Sequence, residues 1–308
     1  MIKIILTTLV AGISLMASVY NLENTKIDIT KNVHCVIGDF NPPKKSNKGF
    51  VSNMCYVDIG DSIVVLDAGP TYIFAKEFTD LIKKDYPNKK ISSVVLSNFH
   101  DDRTQGIGYF QEQGIIAIGY KNINKDIKNN GSKFERYPML FTKKLLKGTT
   151  IPKIDKLVDD GYTIRGSKKS LKILKLSKVS EEKSDIVIWD KDDSFVFTGN
   201  IVFNGRMLNF TKNSNIDGWI KALEGIKNLN AKYILGGHGK EFDSKSYLPS
   251  LNYLTTLKKD VKKAYDSDVD TMDIKLSPTI YEKNNIPYFK PLNRNNINNF
   301  YDYLDFAN

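Results

Sequence analysis

Apolar residues recur along this chain in two rhythms. Some short stretches are continuous or alternating, as in buried and half-buried strands; others repeat every three or four positions, as in one-faced helices. Strand-like runs cover 31–38 and 51–67, read as antiparallel and separated by Asn41-Pro42-Pro43 and a lysine-rich loop. Residues 71–84 carry Ile73, Phe74, Phe78, Leu81 and Ile82 on one side, which predicts an amphipathic helix stopped by Pro87. A β-branched run ends at Leu96, and 114–119 is another short strand. Strand and helix alternate here, which argues for a layered α/β fold. Residues 122–157 are lysine-rich and irregular, with a helix expected around 134–146 and no sign of chemistry. A second set of strands is expected at 162–165, 171–176, 186–189 and 195–198, the last two forming a hairpin across 190–194. Ile216, Trp219, Ile220, Leu223, Ile226 and Leu229 share a helical face. Residues 233–235 then form a strand leading into Gly236-Gly237-His238-Gly239. Further helices are expected at 247–264 and 295–304. Strands followed by a βα unit thus occur twice, at about 33–120 and 161–240. No linker divides the chain, so 30–308 is read as one domain with a C-terminal helical extension.

Composition adjusts this picture only a little. At 308 residues and 41% apolar, the chain can bury a sizeable core. Its net charge of +10 comes from scattered lysines without a basic stripe or interleaved aromatics, so no nucleic-acid partner is expected. The leader matters more. Lys3, a nearly all-apolar run from Ile4 to Met16, and Leu15-Met16-Ala17 before Ser18 read as a secretory signal over 1–17. That run is too short for a stable membrane span, and no later stretch could cross a bilayer. The mature chain is expected in the periplasm or outside the cell. Export permits a disulfide, and Cys35 and Cys55 lie in strand-like runs that can be neighbours. A cross-strand disulfide and two buried thiols fit equally.

The candidate chemistry gathers after the strand that ends at Leu96. There Asn98, His100, Asp102 and Arg103 crowd one turn, followed by Gly106, Gly108, Tyr109 and Phe110. Polar groups at the end of a buried strand are a common way for α/β proteins to build sites. An imidazole and a carboxylate two residues apart suit a divalent metal.

This stretch resembles the His-x-His-x-Asp-His motif of the metallo-β-lactamase superfamily, written here as Asn98-Phe99-His100-Asp101-Asp102-Arg103. Four further features match that family in order. They are Asp67-Ala68-Gly69 after a buried strand, Ser184-Asp185-Ile186-Val187, Thr198-Gly199-Asn200 where the family has Thr-Gly-Asp, and Gly237-His238-Gly239. The third of the family's loop histidines would fall at Glu181. The run from Phe197 to Arg206, with Asp217-Gly218-Trp219, is most similar to the periplasmic branch associated with quinoprotein and sulfur oxidation. The resemblance implies a four-layer αββα sandwich with its site between two pseudo-symmetric halves.

What it implies for chemistry is narrower. A two-zinc site needs about seven ligands and a bridging carboxylate. Here Asn98, Arg103, Glu181 and Asn200 stand at four ligand positions, and His100, Asp102 and His238 match. A dinuclear site is therefore not expected. One zinc held by Asp102 and His238, with help from His100, Glu181 or Asn200, would leave His100 and Asp102 as the catalytic pair. Asp67 would orient ligands from behind, while Asn98 and Arg103 would orient a small anionic substrate and buttress Asp102. Glu181 reads at least as well as a solvated charge; the alternative for Asn200 is a cap and the lesser one for Asp67 a turn residue, while His34 is read as structural. Two functions follow from the resemblance. One is a periplasmic single-metal hydrolase of an amide, ester or thioester. The other is a pseudoenzyme kept as a binding or accessory protein, taking a small anion through Arg103.

Overall fold

The computed structural model describes residues 18–284 and 286–307; the leader read at 1–17 lies outside them. The described chain forms twelve strands. They are β1 (Lys26–Thr30), β2 (Val33–Val36), β3 (Met54–Asp58), β4 (Ser62–Leu66), β5 (Lys90–Leu96), β6 (Ile116–Tyr120), β7 (Lys156–Val158), β8 (Thr163–Arg165), β9 (Ser170–Leu174), β10 (Val187–Asp190), β11 (Phe195–Phe197) and β12 (Tyr233–Leu235). Nine helices accompany them: α1 (Tyr72–Asp85), α2 (Asp101–Thr104), α3 (Ile107–Glu112), α4 (Ile123–Asn129), α5 (Arg136–Leu140), α6 (Ile216–Asn228), α7 (Leu248–Tyr265), α8 (Ile280–Lys283) and α9 (Phe289–Ala307).

Strands β1 to β7 form one sheet in sequence order, and the second sheet runs β12-β11-β10-β9-β8. Both are mixed. The first is antiparallel from β1 to β4 and parallel from β4 to β7. The second is antiparallel except where β11 meets β12.

Side-chain alternation makes the layers. On β3, Cys55 and Val57 point into the core between the sheets, while Met54 and Tyr56 point to the outer core with Phe74 and Phe78 of α1. On β10, Ile188 faces the inter-sheet core and Val187 faces Trp219 and Leu223 of α6. Helix α1 begins where Thr71 Oγ1 accepts from Phe74 N at 3.1 Å, and α6 where Asn215 Oδ1 accepts from Gly218 N at 2.7 Å. The result is the αββα sandwich that the resemblance implied.

Three differences from the sequence reading have local causes. The 51–67 run is two strands, because Gly60, at φ +110°, turns the chain between β3 and β4. The helix expected over 134–146 shrinks to a 3-10 turn (Gly131–Glu135) and α5, because Phe141 is extended and Met139 faces solvent. That segment has no continuous apolar stripe to extend a helix. Cys35 and Cys55 are directly paired across β2 and β3 and form a disulfide. Among the described residues no helix is long and apolar enough to cross a membrane.

Candidate functional site

The loop after β5 is shaped by its own polar side chains. Asn98 Oδ1 accepts from His100 N at 3.0 Å, and His100 O accepts from Thr104 Oγ1 at 2.8 Å. Phe99 is fully buried and anchors the turn. Asp67, at the end of β4 with φ +64°, accepts from Ser97 N and Ser97 Oγ, both at 2.7 Å. The ends of β4 and β5 are thereby locked together.

The second half of the molecule delivers the opposite wall. Asn53 Nδ2 donates to Gly236 O (2.9 Å) and Gly239 O (2.6 Å), which pins the Gly-Gly-His-Gly turn against the first sheet. His238 stacks on Phe203, with ring centroids 4.9 Å apart. Its Nδ1 donates to Val51 O at 2.7 Å, so the lone pair is on Nε2. Asp185 binds the 180–185 turn to the first half. It accepts from Ser180 Oγ (2.7 Å), Glu182 N (2.7 Å) and Asn98 Nδ2 (3.1 Å).

Arg103 occupies the centre. It is completely buried. Nη1 donates to Asp67 Oδ2 at 2.7 Å, and Nη2 donates to Asn200 Oδ1 and lies 3.3 Å from both Gly237 O and His238 Nε2. A Cβ on Gly237 would collide with this guanidinium, which explains the glycine before His238. Burial weighs against the charge, but Asp67 and Asp102 hold its pKa above the ordinary value.

Above Arg103 opens a cavity of about 460 Å³. His100, Asp102, Glu181, Asn200 and His238 all line it, although they come from four separate parts of the chain. Asn98 and Arg103 do not: both are wholly buried beneath it, so neither is placed to orient a ligand as the sequence reading expected. Cations to which the sequence assigned no role stand there instead. Lys133 Nζ donates to Glu182 Oε1 at 2.9 Å, and Arg136 grips Asp101 at 2.7 and 3.0 Å. Arg206 Nη1 lies 3.2 Å from His238 Nδ1, a nitrogen whose proton is already given to Val51. Among the described residues Arg206 has no carboxylate within 4 Å. Lys133 and Arg136 come from the stretch in which the sequence showed no chemistry, where they look like any surface cation.

The titratable groups are tuned apart. Asn200 Oδ1 accepts from Arg103, so its Nδ2 donates to His100 Nδ1 at 3.0 Å. His100 Nε2 lies 3.2 Å from Glu182 Oε1 and 2.9 Å from Lys133 Nζ. Burial, with Lys133 beside it, pushes His100 well below its usual range. Burial, Arg206 and Arg103 do the same to His238, so both imidazoles are neutral near pH 7. Burial acts to raise Asp102, but Arg103 and the surrounding positive charge outweigh it and keep it ionised. Burial pushes Glu181 well above the carboxylate range, and its Oε2 has no partner among the described residues.

That protonated carboxyl carries a prediction. Below the unfolded-state value of 4.5 Glu181 is protonated in both states; as pH rises past it, only the unfolded chain gains the charge, so stability falls. Glu181→Gln removes this dependence. Its stability advantage is expected to grow between about pH 5 and 8, reaching about 1–3 kcal/mol, the scale of an unsatisfied buried polar group. Urea unfolding across that range checks it; an advantage that shrinks as pH rises would mean Glu181 is ionised in the fold.

The residues present do not fit the zinc that the resemblance implies. Among the described residues no three His, Cys, Asp or Glu side chains converge on a common point. His238 Nε2 and Asp102 Oδ2 are 3.9 Å apart, but the imidazole lone pair faces the Arg103 guanidinium, which also takes Asn200 Oδ1.

A family profile described as the metallo-beta-lactamase superfamily matches residues 47–238. A type 2 metallo-beta-lactamase of Elizabethkingia meningoseptica is 22% identical over 193 residues, covering 61% of this chain and 69% of that protein. A metallo-beta-lactamase structure from Pontibacter korlensis superimposes with a TM-score of 0.60 at 17% identity, over 75% of this chain and 98% of that one. A metallo-beta-lactamase structure from Pseudomonas aeruginosa, in its mono-zinc form, does so with a TM-score of 0.58 at 20% identity, over 75% and 94%. With the matched span running from the loop before β3 to His238, and the two-sheet sandwich built around it, this chain belongs to the metallo-beta-lactamase superfamily.

Proposed function

We propose that this protein is a metal-independent member of a superfamily of hydrolases, kept as an exported binding protein for a small organic anion. One observation carries the reading: the Arg103 guanidinium lies among Asp67, Asn200 and His238, where a metal would have to meet its ligands. A permanent cation there repels a second one. Export is supported by the Cys35–Cys55 disulfide, which favours an oxidising compartment. The anion would bind through Arg206, since Arg103, Arg136 and Lys133 are each committed to a carboxylate.

Removing Arg206 tests this. Arg206→Gln is expected to weaken binding of small carboxylates by about 10- to 100-fold, as loss of one charge-assisted hydrogen-bonding group does, without altering the unfolding midpoint appreciably. Titration calorimetry with wild type and variant decides it; equal affinities would place the anion elsewhere.

The second reading, a single-metal hydrolase of an amide, ester or thioester, is favoured by Asp102 Oδ2 and His238 Nε2 lying 3.9 Å apart beside neutral His100. Metal analysis after dialysis against excess zinc separates the two. About one zinc per chain, lost in Asp102→Ala or His238→Ala and accompanied by saturable hydrolysis, would replace the binding-protein reading.

A further inference from the structure

The cavity is closed on one side by residues outside the span that the family profile matches, which ends at His238. Pro287, Tyr288 and Leu292 come from the start of α9 and the turn before it, and they line the same cavity as His100 and Arg206. Together with Phe203 and Met207 they give the cavity an apolar share of its lining beside the charged groups. Tyr288 is about half exposed and has φ +61°, a conformation uncommon for a bulky residue.

This wall is firmly fastened. Asn296 on α9 accepts from Phe210 N at 2.8 Å and donates to Leu208 O at 3.1 Å, and Asn299 Nδ2 donates to Phe210 O at 2.7 Å. The same face of α9 is tied to α7: the Tyr253 hydroxyl donates to Asn293 Oδ1 at 2.9 Å and accepts from Asn296 Nδ2 at 3.0 Å. The segment held by Asn296 and Asn299 is the one that carries Arg206 and Met207 into the cavity. The start of α9 and the turn before it therefore supply apolar surface to the cavity, while the same helix braces the backbone just after Arg206.

Resting on the anion-binding reading above, we infer that the C-terminal extension selects the ligand: a carboxylate carrying an aromatic or similarly bulky apolar group. The carboxylate is taken by Arg206, and the apolar group packs on Tyr288 and Leu292. Apolar contact with such a wall adds affinity only for ligands that have something to bury.

The test compares acetate with phenylacetate by calorimetric titration of the purified protein. Wild type is expected to bind phenylacetate at least about tenfold more tightly. In Tyr288→Ala and in Leu292→Ala the ratio of the two affinities should fall towards about twofold. Tyr288→Phe should keep it, because the ring and not the hydroxyl makes the wall. If the ratio is unchanged in both alanine variants while Arg206→Gln weakens both probes, the selecting wall is overturned and the anion site stands. If neither probe binds wild type, or if Arg206→Gln changes nothing, the anion site is overturned and the wall with it.

Discussion

Replacing Arg103 with methionine is expected to cost about 3–5 kcal/mol of folding stability, the cost typical of removing one partner from a buried ion pair. Methionine matches much of the aliphatic length, so little volume is lost. The loss comes from Asp67. Its carboxylate is completely buried and is left with the two Ser97 donors once Nη1 is gone. Asn200 Oδ1 and Gly237 O lose a donor as well. The double variant Asp67→Asn with Arg103→Met removes the orphaned charge and is expected to recover a large part of the deficit, since a neutral replacement of both partners is often tolerated. Urea unfolding of the wild type, both single variants and the double variant gives the coupling. If Arg103→Met alone were as stable as wild type, Asp67 could not be carrying a buried charge, and the account of the centre would be wrong.

The second large effect is a gain. Asn98→His, Arg103→His, Glu181→His and Asn200→Asp together place imidazoles and a bridging carboxylate at the four positions that depart from the family motif. This variant is expected to bind about two zinc ions per chain, and wild type none if the binding-protein reading holds. Without zinc it should be less stable than wild type, because Asp67 has lost its guanidinium. Zinc should raise its unfolding midpoint and leave that of wild type unmoved. Elemental analysis and thermal unfolding with and without zinc read both halves of the expectation. A folded variant that takes up no zinc would mean a ligand position is misassigned. Glu181 would be the first suspect, because it is Glu182 and not Glu181 that faces His100.

The ordered motifs were legible because each is local. Asp67 after a buried strand, the turn from Asn98 to Arg103, and His238 between glycines are all written within a few residues. Four side chains from these motifs share one cavity: His100 and Asp102 meet Asn200 and His238 across the two halves. Arg206 was not legible. It lies in an irregular segment, and only its lack of a carboxylate partner distinguishes it, which is a property of the folded surroundings. Lys133 and Arg136 were hidden by composition, two cations among many in a lysine-rich stretch. The wall at Tyr288 was hidden because its helix reads as a C-terminal extension packed on its own.

By itself the sequence determined the layers. Alternation in β3 and β10 sends successive side chains to opposite faces, and the spacing of Phe74, Phe78 and Ile82 commits α1 to one buried side; these are consequences of backbone geometry alone. It also determined which residue types reach the ends of the strands. Only the tertiary structure decided what those residues do. Arg103 turns inward because Asp67, Asn200 and the open space at Gly237 meet it there, from positions 36, 97 and 134 residues away in sequence. Cys35 and Cys55 are bonded because strand register sets them opposite each other. Partners this far apart are chosen by packing, and a buried charge goes wherever packing has left its counter-charge.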